Sequence, residues 1–451
     1  NADELKAATG GDFTVSGGFA AHGVSIDSRS LAPRDMFVAI EGERDGHDFV
    51  ADALARQAAG AMVAREPEPE PGPAPLLVVD DTLAALQRLG GFARVRSSAR
   101  FAAVTGSVGK STTKEMLRRI FAAFGPTHAA EASFNNHLGV PLTLARTPRE
   151  ADFAVIEIGM NNPGEIAPLA ALARPHVAII TTIAATHIGH LGSLDAIVEE
   201  KGSLLTGLSA DGAAVLPCGT FLARLARHAP DGARIIGFGA DERAEAQLIE
   251  AASDAEGVDV TACILNKTVR FRLGAPGRHM AMNAVAALAA AASLGLDAER
   301  AAAALDGFLP LAGRGARRRI TLSGGDALLL DESYNASGAS VQAALSVLAL
   351  QPGRHVVVLG DMLELGDHAE YEHRALAEPV AAVADIVFAC GPQMRMMFQD
   401  LPAHLRGNWA EDAVSLAPRV AAALRAGDAV LVKGSLGSRM RSVIAAIEGA
   451  A

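Results

Sequence analysis

Apolar runs of strand length alternate with helical patterns in the middle of the chain. Phe101–Thr105, Phe153–Ile158 and His176–Thr181 are short and almost wholly apolar, whereas Ser111–Phe124 places apolar residues at helical spacing. Strands that alternate with helices predict a mainly parallel, doubly wound sheet that binds ligands at the carboxyl ends of its strands.

The two ends of the chain carry similar but smaller patterns. In the amino-terminal part, Met36–Ile40 and Leu76–Val79 are predicted strands and Asp48–Ala59 a predicted helix. Residues 66–75 read E-P-E-P-E-P-G-P-A-P, a predicted solvated loop, because each proline removes a backbone donor and fixes φ. Four further runs predict the strands of a carboxyl-terminal α/β unit: Ala327–Leu330, Val356–Leu359, Ile386–Ala389 and Ala429–Val432.

The length of the chain argues for several domains. A single hydrophobic core seldom serves 451 residues, and we predict three α/β domains, the central one larger than its neighbours. The predicted boundaries give residues 1–97, 98–311 and 312–451. The most apolar stretch, Met280–Leu296, is mostly alanine and too short for a bilayer, so it is a predicted buried helix.

Composition excludes several classes of protein. Half of the residues are hydrophobic and 20% are charged, which is typical of a folded enzyme and not of a disordered chain. The net charge of −11 argues against a broad nucleic-acid surface. Cys218, Cys263 and Cys390 are scattered without C-x-x-C spacing, and the printed amino terminus has no secretory signal pattern. We therefore expect reduced thiols, a cytoplasmic location, and neither nucleic acid nor membrane as partner.

A glycine-rich loop between a strand and a helix is the strongest chemical signal. It reads Thr105, Gly106, Ser107, Val108, Gly109, Lys110, Ser111, Thr112. Backbone N–H groups and the helix dipole favour phosphate oxygens there; Lys110 is predicted to reach the β- and γ-phosphates, and Ser111 to coordinate Mg²⁺. Val104 replaces the first glycine of the general motif. A plain glycine-rich turn is the alternative, which the strand–loop–helix context disfavours.

Other polar residues are ambiguous when taken alone. Glu157 ends a predicted strand, where a metal ligand would belong, and His187 could bind metal or cap a loop. Lys201 by itself would be a solvated helix residue. Glu199 and Glu200 do not form an acid–base pair, because adjacent helix residues point in different directions.

Taken together, several segments resemble the Mur ligases of peptidoglycan synthesis, in that family's order. They are Thr105–Lys114, Phe134–Pro141, Ile156–Asn161, Thr186–His187 and Lys201–Gly202. Asp331–Ala336 and Leu359–Gly366 resemble the family member that adds D-alanyl-D-alanine to UDP-N-acetylmuramoyl-tripeptide. The absence of a D-N-P-R signature agrees with that subfamily, whereas Ser337-Gly338, in place of the usual Asn-Pro, departs from it and is expected to loosen its loop.

The resemblance implies roles for individual residues. Lys110, Glu157, His187, Lys201 and Arg314 are the implied catalytic residues. Lys201 would be carbamylated and would help hold a second Mg²⁺ with Glu157 and His187. The remaining implied contacts are Asn283, Arg314, Glu332 and Asn335 for ATP, and Ser28, Arg29, Gly46, His47, Asn135, Asn136, Tyr334 and Lys433 for the other substrates.

For two of these assignments the residues alone leave alternatives. Ser28 and Arg29 could equally form a surface turn, and Arg314 could belong to a solvated basic turn with Arg317, Arg318 and Arg319.

The implied reaction is ATP-dependent amide formation in the bacterial cytoplasm by a monomer. A carboxylate of the tripeptide is phosphorylated to an acyl phosphate, and the amine of D-alanyl-D-alanine displaces phosphate to give the pentapeptide precursor. The third residue of the tripeptide stays open between diaminopimelate and lysine. Two alternatives remain: a sister ligase, including a folylpolyglutamate synthase, and a nucleotide switch that hydrolyses ATP slowly.

Overall fold

Three β-sheets, each built from one stretch of chain, organise the protein. A computed structural model describes residues 1–15, 19–67, 74–130, 133–322 and 324–449. The sheets have five, nine and six strands in chain order. Most of the predicted proline-rich loop, residues 68–73, lies outside the described residues.

The amino-terminal sheet has the strand order β1-β5-β4-β3-β2, with only the edge strand β1 antiparallel to its neighbour. Its elements are α1 Ala2–Thr9, β1 Asp12–Phe13, β2 Gly23–Ser25, β3 Asp35–Val38, α2 Val50–Ala55, β4 Gly60–Val63, β5 Leu76–Val78 and α3 Thr82–Arg96. The predicted helix over Asp48–Ala59 is shorter than expected. A 3-10 turn at Gly46–Phe49 precedes α2, and Gln57 takes φ 69°, which turns the chain back into β4.

The central part of the chain alternates strands and helices before ending in an antiparallel hairpin and two helices. Its elements are β6 Arg100–Thr105, α4 Lys110–Ala122, β7 Thr127–Ala129, α5 Gly139–Ala145, β8 Phe153–Glu157, α6 Ile166–Ala173, β9 Val177–Ile180, α7 Ile188–Leu191, α8 Leu194–Gly202, β10 Ala213–Pro217, α9 Leu222–Ala226, β11 Arg234–Gly239, β12 Ala246–Ser253, β13 Val258–Ile264, β14 Lys267–Leu273, α10 Arg278–Ser293 and α11 Ala298–Leu305.

The central sheet confirms the predicted doubly wound, mainly parallel topology. Its order is β14-β13-β12-β11-β10-β9-β6-β8-β7, parallel except for the pairs β12–β13 and β13–β14. Along β6, Phe101 and Ala103 join the buried cluster on one face, and Ala102 and Val104 the cluster on the other. Helices therefore cover both faces, and β6 lies between β8 and β9 at the switch point.

The alanine-rich stretch is a buried helix, as predicted. In α10 the side chains from Ala284 to Ala291 are fully buried. They share a cluster with Met116 and Ile120 of α4. Within the ranges given above, no helix combines the length and apolar character needed to cross a bilayer.

The carboxyl-terminal sheet has the order β15-β16-β20-β17-β18-β19, parallel except for β15. Its elements are β15 Ala316–Leu322, β16 Gly325–Glu332, α12 Gly338–Leu348, β17 His355–Gly360, α13 Ala369–Arg374, α14 Ala377–Ala381, β18 Ile386–Cys390, α15 Met394–Asp400, β19 Arg406–Ala410, α16 Ala413–Ala423, β20 Ala429–Lys433 and α17 Arg441–Gly449.

Two expectations for this region are wrong. The residues Arg317–Arg319 do not form a basic turn, because they lie in edge strand β15, and an edge strand accommodates charged side chains. Ser337 does not loosen its loop. Its hydroxyl accepts the Ser340 N–H, and the reciprocal bond completes a capping box at the start of α12.

Arg317 ties this sheet to the central part of the chain. Its guanidinium donates to the carbonyl oxygens of Ala255, Glu256 and Gly274, around the hairpin of β12, β13 and β14. The chain between α11 and β15 crosses from one sheet to the other close to this contact. The domain boundaries given above stay a prediction.

Candidate active site

The glycine-rich loop lies between β6 and α4, at the carboxyl edge of the central sheet. Gly106 and Gly109 have φ 145° and 90°, which side chains rarely adopt. A Cβ at Gly109 would lie only 2.6 Å from Oδ1 of Asn283 in α10. Asn283, predicted to contact adenine, therefore lies against the phosphate loop.

Hydrogen bonds fix the loop to the segment that follows β9. Thr181 Oγ1 donates to the Val108 carbonyl at 2.6 Å, Ser107 N to Thr182 O at 2.7 Å, and Ser107 Oγ to Ala184 O at 2.8 Å. Lys110 Nζ donates to the Gly106 carbonyl at 2.7 Å. The loop amides are thus held in place, with the lysine ammonium folded over them.

A buried carboxylate lies close to this lysine. Glu157 ends β8 and is 1% exposed; its Oε1 accepts a hydrogen bond from Asn135 Nδ2 at 2.9 Å. Its Oε2 is buried and has no hydrogen-bond partner among the described residues. Burial lowers the pKa of Lys110, Glu157 opposes that shift, and Arg314 adds to it. An unpaired carboxylate oxygen beside a phosphate loop is the donor type that Mg²⁺ prefers.

Lys201 is fully buried near the end of α8. Burial, followed by repulsion from Lys110, lowers the pKa of Lys201 well below its usual value, and only Glu200 opposes this. The prediction that Lys201 taken alone is a solvated residue is therefore wrong. The lowered pKa favours the uncharged amine over the ammonium ion, and the uncharged amine is the nucleophilic form.

Arg314 reaches the loop from the carboxyl-terminal side of the chain. Its Nη2 donates to Ser133 Oγ at 3.0 Å, and Ser133 Oγ lies 3.4 Å from Ser111 Oγ. The Arg314 guanidinium also stacks over the Tyr334 ring, 4.0 Å from its centroid. Arg314 is therefore oriented toward the phosphate loop instead of lying in a solvated turn.

Lys433 and Glu332 form a second polar pair, at the ends of β20 and β16. Lys433 Nζ donates to Glu332 Oε2 at 3.2 Å and to the Asn335 carbonyl at 2.9 Å. Burial lowers the pKa of the neighbouring His279, while Glu332 opposes that shift. His279 and Glu332 line a small, mainly apolar cavity between α10 and the carboxyl-terminal sheet.

His187 differs from the other predicted metal ligands. It precedes α7 at φ 58°, and its Nδ1 contacts the Glu364 carboxylate in the loop after β17. That contact lowers the pKa of Glu364. Within the described part of the chain, no hydrogen bond or ion pair joins His187 to Glu157 or Lys201.

The amino-terminal candidates lie on a different sheet. His47 is buried; its Nε2 accepts from Ala64 N at 3.0 Å, so Nδ1 carries the proton toward Asp45, 2.7 Å away. Arg29 is exposed and binds the carboxylate of Asp27, holding the pKa of Asp27 at about 2. Ser28 hydrogen-bonds Asp52 and lowers its pKa. Of these residues, Arg29 has the most exposed side chain, although its guanidinium is paired with Asp27.

Two further candidates have local structural roles. Gly46 packs against the backbone of residues 39–40. Asn136 Oδ1 accepts from the N–H groups of Leu138 and Gly139 at the start of α5.

Sequence reasoning missed three residues at the site. Ser133 bridges Ser111 and Arg314, Thr181 anchors the phosphate loop, and Glu364 contacts His187. Only Glu364 carried a signal, since it lies within a segment that supported the family resemblance.

The sheet, the loop and the polar groups around it define a phosphate-loop nucleotide-binding protein. Three family models match the chain: Mur ligase family, catalytic domain at residues 20–93; Mur ligase middle domain at 104–291; and Mur ligase, glutamate ligase domain at 318–436. The chain belongs to the Mur ligase family, whose members are ATP-dependent ligases.

Individual relatives match nearly end to end. The UDP-N-acetylmuramoyl-tripeptide--D-alanyl-D-alanine ligase of Escherichia coli (strain K12) is 35% identical over 94% of this chain and 93% of its own. The Bacillus subtilis (strain 168) ligase of the same name is 32% identical over 94% and 92%. A crystal structure of MurF from Acinetobacter baumannii has a TM-score of 0.87 at 30% identity and covers 99% of this chain and 98% of that one.

Proposed function

We propose that this Mur ligase joins D-alanyl-D-alanine to UDP-N-acetylmuramoyl-tripeptide, using ATP and giving the pentapeptide precursor of peptidoglycan. The convergence of Lys110, Arg314 and Glu157 on one phosphate loop carries the ligase chemistry. The choice of acceptor is supported by the near full-length similarity to relatives that carry this name.

The first step is phosphoryl transfer. A carboxylate of the tripeptide attacks the γ-phosphorus of ATP, the bond to the β-phosphate oxygen breaks, and an acyl phosphate and ADP form. Lys110, Arg314 and the loop N–H groups stabilise the charge that develops on the phosphate oxygens. Asn283 and Glu332 are proposed to hold the nucleoside, with Asn335 nearby.

The second step forms the amide. The amine of D-alanyl-D-alanine attacks the acyl carbon, and the tetrahedral intermediate expels phosphate and loses a proton. No side-chain nucleophile is needed, so catalysis depends on positioning and on exclusion of water from the acyl phosphate. We propose Asn135, Asn136, Tyr334 and Lys433 as residues that line or shape this part of the site.

The donor set suits Mg²⁺. Ser111, Glu157, His187 and Lys201 are the proposed residues of a site for two ions. When bound, Mg²⁺ would neutralise phosphate oxygens during transfer. The Lys201 amine would attack CO₂ in its uncharged form and lose a proton, giving an anionic carbamate whose oxygens can bind a metal that a protonated lysine would repel. The unpaired Oε2 of Glu157 supports this proposal.

The three domains are proposed to divide the work. Residues 1–97 would hold the UDP sugar through Ser28, Arg29, Gly46 and His47; residues 98–311 would bind ATP; and residues 312–451 would close over both. Because both ring nitrogens of His47 are engaged within the protein, its proposed contribution is to shape the loop. We also propose that the protein acts as a monomer in the cytoplasm.

The decisive experiment measures phosphate release from ATP and Mg²⁺ with UDP-N-acetylmuramoyl-tripeptide, with and without D-alanyl-D-alanine. The product is checked by mass spectrometry. Release that needs both substrates and matches pentapeptide supports the proposal. Release with the tripeptide and another amine instead of the dipeptide would indicate a sister ligase, and release without either substrate would indicate a nucleotide switch.

A further inference from the structure

Two strained residues from different sheets meet beside the candidate site. His187 and Glu364 have φ 58° and 66°, and they are two of eight non-glycine residues at positive φ in the described ranges. Their side chains contact each other through Nδ1 and Oε2. Such backbone conformations persist only where the surroundings hold them, and they concentrate at functional sites.

The backbone around this pair is tightly fitted. Gly189 N donates to the Glu364 carbonyl at 3.0 Å. A Cβ at Gly189 would lie 2.5 Å from Gly366 N, and a Cβ at Gly366 would lie 2.9 Å from Gly189 Cα. Neither backbone segment therefore has room for a side chain at this contact. Ile188 is buried in the same cluster as Met362 and Leu365. We call His187, Gly189, Glu364 and Gly366 the interdomain latch.

A second contact joins the same two parts of the chain at a different place. Arg317 donates to the carbonyls of Ala255, Glu256 and Gly274, and Gln351 Nε2 lies 3.3 Å from the Ala255 carbonyl. Arg317 lies in β15, directly after the connecting segment, whereas Glu364 and Gly366 follow β17, further along the chain. A rotation about the connecting segment would therefore displace the latch more than the Arg317 contact.

The latch also determines which nitrogen of His187 is available. While Glu364 Oε2 lies against Nδ1, the His187 ring is restricted in its rotation, and Nε2 is the ring nitrogen outside that contact. His187 therefore holds Nε2 in a defined direction only while Glu364 is in contact with it.

We propose that Glu364 is a positioning residue that couples closure of the carboxyl-terminal domain to completion of the ATP–Mg²⁺ site. With the latch closed, its carboxylate orients His187; with the latch open, His187 is free to turn away. This inference rests on the proposed function, because that function gives His187 its place at the site.

The experiment breaks the latch by two independent routes. Glu364→Ala removes the carboxylate, and Gly189→Ala adds a methyl group against Gly366 N. Glu378→Ala, an exposed glutamate of the same domain, and Gly324→Ala, where a Cβ meets nothing within 4 Å, are the matched controls. Glu364→Gln keeps an oxygen acceptor of the same length and tests for rescue.

The first measurement is small-angle X-ray scattering of the full chain with and without ADP and Mg²⁺. We expect the radius of gyration to decrease on ligand addition in wild type and both controls, and to stay larger in Glu364→Ala and Gly189→Ala. In steady-state kinetics, kcat should fall by about 10–100-fold in Glu364→Ala, the usual effect of losing a residue that orients a metal ligand. The KM for UDP-N-acetylmuramoyl-tripeptide should match the controls, and Glu364→Gln should recover most of kcat.

The outcomes separate the latch from the reaction. Control-like scattering in both latch variants overturns the coupling, even if kcat falls. A wild-type protein that makes no pentapeptide overturns the proposed function, while scattering still decides the latch. If thermal unfolding reveals that Glu364→Ala does not fold, Gly189→Ala carries the test, and wild-type scattering in that variant refutes the proposal.

Discussion

The phosphate loop and the amino-terminal motif both gather polar side chains, but they use them differently. At the loop, among the described residues, Glu157 Oε2 is buried without a hydrogen-bond partner and the Lys110 ammonium group bonds only a loop carbonyl. At the amino-terminal motif, both ring nitrogens of His47 are engaged, and Arg29 is paired with Asp27. The first arrangement leaves hydrogen-bonding capacity for a ligand, whereas the second consumes most of it in holding the fold.

Removing the loop lysine should have the largest effect. In Lys110→Ala, phosphate oxygens lose a cation placed for the transition state, and kcat for phosphate release should fall by about 10²–10³-fold. Lys267→Ala, an exposed lysine on β14, is the control. A kcat equal to that of the control would mean that the loop does not bind the transferred phosphate.

His47→Ala should instead lower stability. It leaves the Ala64 N–H without its acceptor, removes the ring contact to Asp45 and opens a cavity, which together cost about 2–4 kcal/mol of unfolding free energy. Asp45 keeps its contacts with Arg65 and with the backbone N–H of residue 47. Urea denaturation measures this change. Arg29→Ala should leave the unfolding free energy unchanged but raise the KM for the UDP sugar. A reversed pattern would make His47 the ligand contact and Arg29 part of the scaffold.

Asn135→Ala tests the orientation of the unpaired carboxylate. Asn135 holds Oε1 of Glu157, so its loss should weaken Mg²⁺ binding by about 10–100-fold. The measurement is the Mg²⁺ concentration that gives half-maximal phosphate release. Gln342→Ala, an exposed amide on α12, should leave this concentration unchanged. An unchanged value in Asn135→Ala as well would remove Glu157 from the metal site.

His373, like His47, has both ring nitrogens in hydrogen-bonding contacts within the protein, and it is a titratable group. Its Nε2 accepts from Met362 N at 3.0 Å and its Nδ1 lies 2.6 Å from the Ala369 carbonyl. Burial lowers the pKa of His373, and the carboxylates of Asp361 and Glu372 only partly oppose this.

The sign of the resulting pH dependence follows from that lowered pKa. The unfolded chain takes up a proton near pH 6.5 while the folded protein resists it, so the stabilisation is complete above about 6.5 and is lost as the pH falls below it. Between pH 7.5 and 5.5, wild type should lose more unfolding free energy in urea than His373→Gln. Equal losses would mean that His373 accepts a proton without disturbing its bonds.

The sequence predicted the parts of the site that depend on local pattern. Strands β6, β8 and β9, the loop between Thr105 and Thr112, and the position of Glu157 at a strand end all follow from apolar runs and glycine spacing. Parallel strands bring their carboxyl ends to one edge, which is why residues far apart in sequence converge there.

What escaped prediction depends on contacts between distant segments. The strand β15 was not predicted because its three arginines interrupt the apolar pattern of a buried strand. An edge strand does not need that pattern, since one of its sides faces solvent. Ser133 and Glu364 gain their contacts from the way two domains meet, and the family resemblance of the segment around Glu364 did not reveal its contact with His187. The burial of His47 is likewise set by the whole amino-terminal core.

The alanine helix α10 limits how this sequence can diverge. Six of the eight buried residues from Ala284 to Ala291 are alanines, whose side chains end at Cβ, while Asn283, one residue earlier, lies against Gly109. Any larger residue in that strip would push the helix axis away from the sheet and carry Asn283 off the loop. Neutral drift should therefore be slow in this helix, since substitutions that enlarge its buried face would weaken nucleotide binding through Asn283 before they unfolded the protein.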